Sequence, residues 1–286
     1  MQARKKLSVT DVIAAKNREK LAVLTAYDYS TATICDRAGI DILLVGDSAS
    51  MVVLGHASTI PIGMHEMLVF CGAVSKGAKR AMVVGDMPFG SYQPGKSAAI
   101  DNAVKLVKAG CDAVKLEGGE EIADTVKGLV ESGIPVMGHI GLRPQTSSLW
   151  EGYKVQGRTA GSAKKLIQDA KALQAAGAFS IVLEMVASEA AGEVTKSLNI
   201  PTVGIGSGTQ CDGQVLVLHD MLGIYEDIKP KFVKRYAELS GVISDAVSQY
   251  TSDVKSAKFP EESNIFHMDS DQESLLRKSL GKEKPK

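Results

Sequence analysis

The feature that most constrains this chain is a short apolar run that recurs along it and stops each time at small and then polar residues. Ile42-Leu-Leu-Val45 is the clearest case, followed by Gly46, Asp47 and Ser48. A continuous apolar run of this length, bounded by turn residues, predicts a strand buried on both faces, as in a parallel sheet. The same reading applies to Leu21–Thr25, Ala81–Val84, Ala113–Glu117, Pro135–Met137, Phe179–Leu183 and Pro201–Ile205. Helical periodicity and helix-end signals fill the intervals, over 30–38, 64–75, 97–109, 120–132, 159–176 and 188–198.

Both ends of this series need separate treatment. Ser8 to Lys20 predicts an extra N-terminal helix, capped by Ser8 or Thr10. Near the other end, Gly213–His219 has strand composition. Only Gly206–Asp212 separates it from the seventh run, which is too short for a helical crossover of a dozen or so residues. The expectation is therefore a seventh helix over 212–222, capped by Asp212, then strand eight at Lys231–Lys234 and a helix over 237–254. Eight β-then-α units in about 250 residues predict a (β/α)8 barrel of the TIM type, with a doubly wound open sheet as the alternative. The barrel is expected to fill residues 1–260, and the polar residues 261–286 to form a mobile tail. The irregular stretch Arg143–Arg158 is long enough to be a lid or an intersubunit element.

Composition removes several classes. Lys plus Arg equals Asp plus Glu at 33 each, so no net field favours nucleic acid or an anionic membrane. No run of roughly 18 apolar residues is present to span a bilayer. Cys35, Cys71, Cys111 and Cys211 are too scattered for a zinc ribbon or a CxxC pair. Met1-Gln-Ala-Arg-Lys-Lys6 does not resemble a secretory signal, so the expected setting is cytoplasmic.

Strand ends converge at one mouth of a barrel. Here they carry Asp28, Asp47 with Ser48, Asp86, Lys115 with Glu117, His139 and Glu184. Carboxylates at such density repel, which raises pKa values or calls for a cation. The oxygen donors suit Mg²⁺ rather than zinc or copper. Asp47, Asp86 and Glu117 come from consecutive strands and are the candidate ligands, whereas Glu184 lies across the mouth and could act as a base. Such a mouth suits enolisation of a 2-oxo acid, with Lys115 offsetting developing charge. Any one strand-end Asp could instead cap the following helix, and Asp28 is the plainest example. His139 could be a core histidine, and His219 reads as structural. Gly204-Ile-Gly-Ser-Gly208 is a weak phosphate-cradle signal, because such glycines also serve close packing.

Several motifs resemble the ketopantoate hydroxymethyltransferase family: Leu24-Thr-Ala-Tyr-Asp28, Leu44-Val-Gly-Asp-Ser48, Asp86-Met-Pro-Phe-Gly-Ser-Tyr92, Val114-Lys-Leu-Glu-Gly-Gly119, Gly138-His-Ile-Gly-Leu142 and Gly152-Tyr-Lys-Val-Gln-Gly-Arg158. Asp212-Gly-Gln-Val-Leu-Val217 and Pro230-Lys-Phe-Val-Lys234 extend the likeness. The resemblance implies a Mg²⁺-dependent barrel enzyme of pantothenate biosynthesis, commonly a homodecamer. Its reaction moves a one-carbon unit from 5,10-methylenetetrahydrofolate to 3-methyl-2-oxobutanoate, giving 2-dehydropantoate. It also implies metal and substrate binding by Asp47 and Asp86, with Glu117 completing the metal environment directly or through water. Ser48 and Lys115 contact the keto acid, His139 belongs to the active-site motif, and Glu184 is the proton acceptor. The sequence departs from the family pattern at Ala187 and at Ala49-Ser50, neither of which is a proposed ligand. The rival readings are a Mg²⁺-dependent carbon–carbon lyase of the phosphoenolpyruvate-mutase and isocitrate-lyase type, and a non-catalytic barrel subunit.

Overall fold

The computed structural model describes residues 5–146 and 154–281. Contacts divide the chain into two units, Met1–Ala237 and Glu238–Lys286. In the first unit, eight parallel strands close in sequence order. They are β1 (Leu21–Thr25), β2 (Ile42–Val45), β3 (Met82–Asp86), β4 (Ala113–Glu117), β5 (Val136–Gly141), β6 (Ser180–Glu184), β7 (Thr202–Ile205) and β8 (Gly213–Leu216). Among the described residues the helices include α1 (Val9–Ala14), α2 (Tyr29–Ala38), α3 (Ala49–Val52), α4 (Met64–Gly77), α5 (Lys96–Lys108), α6 (Ala123–Glu131), α7 (Ala160–Ala175), α8 (Ser188–Lys196) and α9 (Leu218–Met221), with a 3-10 turn at Glu120–Ile122 and helical residues at 144–146. The (β/α)8 barrel is thus present, and the open-sheet alternative is excluded by the β1–β8 pairing.

Strand alternation sorts the apolar residues into two shells. Ile42, Leu44, Met82, Val84, Ala113, Met137, Val182 and Val203 pack together inside the barrel. Leu43, Val45, Val83, Val114, Leu116, Ile181 and Leu183 pack outward with helix residues such as Met67, Leu106, Leu129 and Leu173. Burying one such aliphatic side chain contributes about 1.5–3 kcal/mol, so β2 to β7 are committed on both faces, whereas β1 and β8 expose Ala22 and Gln214 outward. Val12 and Ala15 join the inner shell, so α1 closes the end from which β1 begins. That helix is shorter than expected, and Ser8 and Asp11 form its capping box.

The end of the barrel differs from the sequence expectation. Strand eight is Gly213–Leu216, paired with both β1 and β7, so 212–222 is not a helix. Lys231–Lys234 is irregular. No helix lies between β7 and β8. The crossover rule assumes a packed helix, but a four-residue strand rises only about 13 Å. The seven residues Gly206–Asp212 can span up to about 23 Å, enough to return to the start of the next strand. Gly206 and Gly208, at φ +63° and +81°, make the turns.

Asp212 is a clamp rather than a helix cap. Its Oδ2 accepts from Lys16 Nζ at 2.8 Å and from Thr202 N at 2.9 Å, tying α1, β7 and the start of β8 together. Both side chains of the ion pair are under a tenth exposed.

The second unit contains α10 (Leu239–Lys255), a 3-10 turn (Glu262–Asn264) and α11 (Ser270–Ser279). The stretch expected to be a tail therefore carries a helix, in which Arg277 pairs with Glu273 one turn earlier at 2.6 Å. Of the expected lid, residues 147–153 lie outside the described residues. Among the described residues, no helix is long and apolar enough to cross a membrane.

Because removing one partner of a buried ion pair strands the other charge, Asp212→Ala is expected to lower unfolding stability by about 3–5 kcal/mol. Urea denaturation checks this, and a loss below about 1 kcal/mol would show that the clamp is dispensable.

Candidate active site

The alternation that builds the inner shell also aims the polar side chains. Lys115 and Glu117 share parity with Ala113, Asp86 with Met82 and Val84, His139 with Met137, and Glu184 with Val182. All therefore point into the barrel at its C-terminal mouth. The register sets their neighbours: Asp86 lies beside Lys115, and Glu117 beside His139. With Asp47 and Ser48, just beyond β2, they line a cavity of about 370 Å³. Met185, Ile205, Val215, Tyr225 and Phe232 supply apolar surface to the same cavity.

Lys115 Nζ sits 2.8 Å from Asp86 Oδ2, which also accepts from Asp47 N at 3.3 Å. Burial works against the ammonium, but Asp86, Glu117 and Asp47 overcome it and hold the Lys115 pKa above its ordinary value. A lysine so held is a fixed cation, not the neutral amine that a Schiff base requires. Burial pushes Asp47 well up, and the Asp86 and Glu117 charges add to it. Asp86 is also raised by burial, against the pull of Lys115. Burial likewise opposes Glu117 ionisation, but His139, Lys115 and the Gln145 main-chain N–H outweigh it and bring its pKa below the usual range.

His139 lies between two carboxylates. Its Nδ1 is 3.4 Å from Glu117 Oε1, and its Nε2 is 3.3 Å from Glu184 Oε2. Both contacts are ion-pair distances without hydrogen-bond alignment. Burial and the Lys115 ammonium, 3.3 Å from Nδ1, both disfavour the imidazolium. The two carboxylates win, and the His139 pKa is raised to about 9. Glu184 is the more open of these groups, with its side chain 17% exposed against 3% for His139.

The backbone around Glu184 is tightly fixed. Gly141, at φ +96°, comes so close that a Cβ there would lie 2.3 Å from Glu184 O. Leu142 N donates to that oxygen at 2.8 Å. The next residue, Met185, takes φ +47°, a left-handed conformation uncommon outside glycine. Its N donates to Ile205 O, and its O accepts from Gln156 N.

Other sequence candidates fall elsewhere. Asp28 caps α2 through Thr31 N at 2.9 Å. His219 packs against the Tyr27 ring, with centroids 5.4 Å apart. Ser207, within the glycine-rich segment, bridges Leu183 O and Val186 N, while Gly206 and Gly208 press on Phe232 and Ser188. That segment serves close packing. All four cysteines are buried, and none lines the cavity. Two contributors were not singled out from sequence: Tyr27, whose OH is 2.8 Å from Ser48 Oγ, and Gln145, wholly buried against Asp47. The Pro144-Gln145 pair carries no charge, and although residues 144–146 are helical the surrounding sequence shows no periodicity, so composition does not flag it.

The donor set for a metal is carboxylate oxygen. Asp86 Oδ1 is buried with no hydrogen-bond partner. Five lining carboxylates, Asp220 included, face the Lys115 and Lys231 ammoniums and one imidazolium, a formal excess of two negative charges. Among the described residues, no three Asp, Glu, His or Cys side chains form a ready-made ion cage. A hard divalent cation held by one or two carboxylates and completed by water and substrate fits this arrangement.

The model of the family described as ketopantoate hydroxymethyltransferase matches residues 6–262. The chain is 54% identical over 275 residues to a 3-methyl-2-oxobutanoate hydroxymethyltransferase of Nitrosopumilus maritimus, covering 96% of this chain and 99% of the relative. It is 60% identical over 254 residues to the enzyme of the same name from Cenarchaeum symbiosum, covering 89% and 96%. Among solved structures, a phosphonopyruvate hydrolase aligns with TM-score 0.60 and 11% identity, over 96% of this chain and 97% of the other. A 2,3-dimethylmalate lyase of the PEP mutase/isocitrate lyase superfamily aligns with TM-score 0.57 and 14% identity, over 96% and 98%. At such identities these two likenesses speak for the fold alone. On the family match and the identities above one half, the chain belongs to the ketopantoate hydroxymethyltransferase family.

Proposed function

We propose that this protein transfers a one-carbon unit from 5,10-methylenetetrahydrofolate to 3-methyl-2-oxobutanoate. With water supplying the hydroxyl oxygen, the products are 2-dehydropantoate and tetrahydrofolate, which places the reaction in pantothenate biosynthesis. The observation that carries this reading is the division of the mouth into two parts. One is a buried charged platform of Asp47, Asp86, Lys115 and Glu117, and the other is a more open carboxylate, Glu184, across from it.

On this reading the keto acid lies over the platform, with Ser48 and Lys115 toward its oxygens. Glu184 accepts the C3 proton, and His139 holds the Glu184 carboxylate in place from behind. Water cleaves the two N–C bonds of 5,10-methylenetetrahydrofolate, giving tetrahydrofolate and a formaldehyde unit, and the enolate carbon bonds to that carbonyl carbon while its oxygen takes up the proton and becomes the new hydroxyl. Lys115 keeps its charge throughout because three carboxylates surround it. The apolar wall at Ile205, Val215 and Phe232 limits water at the reacting carbon. Mg²⁺ is the cation we assign to Asp47 and Asp86, with Glu117 reaching it directly or through water. When bound, it supplies positive charge to the keto-acid oxygens as the enolate develops.

Incubation with Mg²⁺, 5,10-methylenetetrahydrofolate and 3-methyl-2-oxobutanoate should yield 2-dehydropantoate, and its absence under conditions that sustain a known homologue contradicts the reading. In D2O, Glu184→Gln should slow exchange of the keto acid's C3 proton by about 10²–10⁴-fold while keto-acid binding persists. Exchange at the wild-type rate would remove Glu184 as the base. Asp47→Asn and Asp86→Asn should each raise the Mg²⁺ concentration for half-maximal activity by at least about tenfold. An unchanged metal requirement in both variants would refute the ligand assignment.

A further inference from the structure

We propose that Gln145 is the positioning residue of the charged platform. Its side-chain amide fixes Asp47 and its main-chain N–H fixes Glu117, so that a divalent cation meets carboxylates already set in place. The inference rests on the functional reading above.

Gln145 is wholly buried, and its side-chain nitrogen and oxygen are both engaged. Nε2 donates to Asp47 Oδ2 and to Met87 O, each at 2.9 Å. Oε1 lies 2.9 Å from Tyr92 OH, whose single proton it shares with Glu117 O at 3.0 Å. The main-chain N donates to Glu117 Oε2 at 3.1 Å. Two acceptors on one side of the amide and a hydroxyl on the other allow one orientation, because the flipped amide would set its oxygen against a carboxylate and a carbonyl. One residue thus ties together the chain just past the ends of β2 and β3 and the end of β4. Tyr92 completes the frame, accepting from Glu117 N at 3.3 Å.

The choice of an amide follows from electrostatics. Asp47 and Glu117 repel each other, and each needs a donor to keep its geometry. A lysine here would supply donors but would neutralise charge and compete with a cation. A glutamate would add a further negative charge. Glutamine donates twice without changing the charge of the site, so the excess negative charge remains available. The same amide distinguishes the two oxygens of Asp47, engaging Oδ2 and not Oδ1. Outer partners of metal-binding carboxylates commonly govern affinity by 10–100-fold.

The test is Mn²⁺ binding to the full-length protein, read from the electron paramagnetic resonance signal of free Mn²⁺, without any turnover. Gln145→Met keeps the volume and the main-chain N–H but removes both side-chain donors. It should weaken Mn²⁺ binding by about 10–100-fold. Tyr92→Phe, which keeps its ring, should weaken binding by a smaller factor. Because Tyr92 reaches the platform both through Gln145 and through the Glu117 main chain, the double variant should weaken binding by less than the product of the two single factors. If both single variants bind Mn²⁺ within twofold of wild type, Gln145 is packing only and the proposal is overturned, even where the urea midpoint falls. Should Gln145→Met fail to fold, unchanged affinity in Tyr92→Phe overturns the proposal by itself. A wild-type protein that binds no Mn²⁺ would overturn the metal reading and this inference together.

Discussion

Confinement of like charge at the barrel mouth is the constraint on which the rest of the site depends. Asp47, Asp86 and Glu117 are all buried, and the buried cationic side chains beside them are Lys115 and His139. Buried carboxylates cost several kcal/mol each unless charge or hydrogen bonds compensate them. The compensation here is specific and partial. Lys115 engages Asp86, His139 stands between Glu117 and Glu184, and Gln145 serves Asp47 and Glu117. Asp86 Oδ1 is still without a partner. The fold therefore holds an arrangement that is poor for stability taken alone and well suited to a divalent cation and an anionic keto acid.

That arrangement follows from the same alternation that fills the barrel. Parity with the inner apolar residues turns Asp86, Lys115, Glu117, His139 and Glu184 inward, and parallel register puts Asp86 beside Lys115 and Glu117 beside His139. At the opposite end, α1 and the Lys16–Asp212 pair close the barrel. One end thus spends its buried charge on stability and the other keeps it for chemistry, a separation usual in barrels of this type.

Much of this was legible in the sequence because it depends on local pattern. Short apolar runs located seven strands, and the polar residue after each run located the mouth. The eighth strand was misplaced for an identifiable reason. Gly213–Leu216 has strand composition, but the return through Gly206–Asp212 uses extended chain and two left-handed glycines where the crossover rule assumes a helix. Asp28 could be read as either cap or ligand, because an aspartate before a helix looks the same in both roles, and the coordinates settle it as a cap. Gln145 was not legible. Its importance comes from where the chain after β5 folds back, a tertiary fact with no periodicity to signal it. The family motif around Gly138-His-Ile-Gly-Leu142 stops three residues short of it.

The central claim is that this mouth enolises a 2-oxo acid with the help of a divalent cation before any one-carbon transfer occurs. Proton NMR of 3-methyl-2-oxobutanoate in D2O with the wild-type protein and no folate tests it most directly. The account predicts loss of the C3 proton signal when Mg²⁺ is present and its persistence when the metal is chelated. Exchange that is absent in both conditions, or equally fast in both, would contradict it.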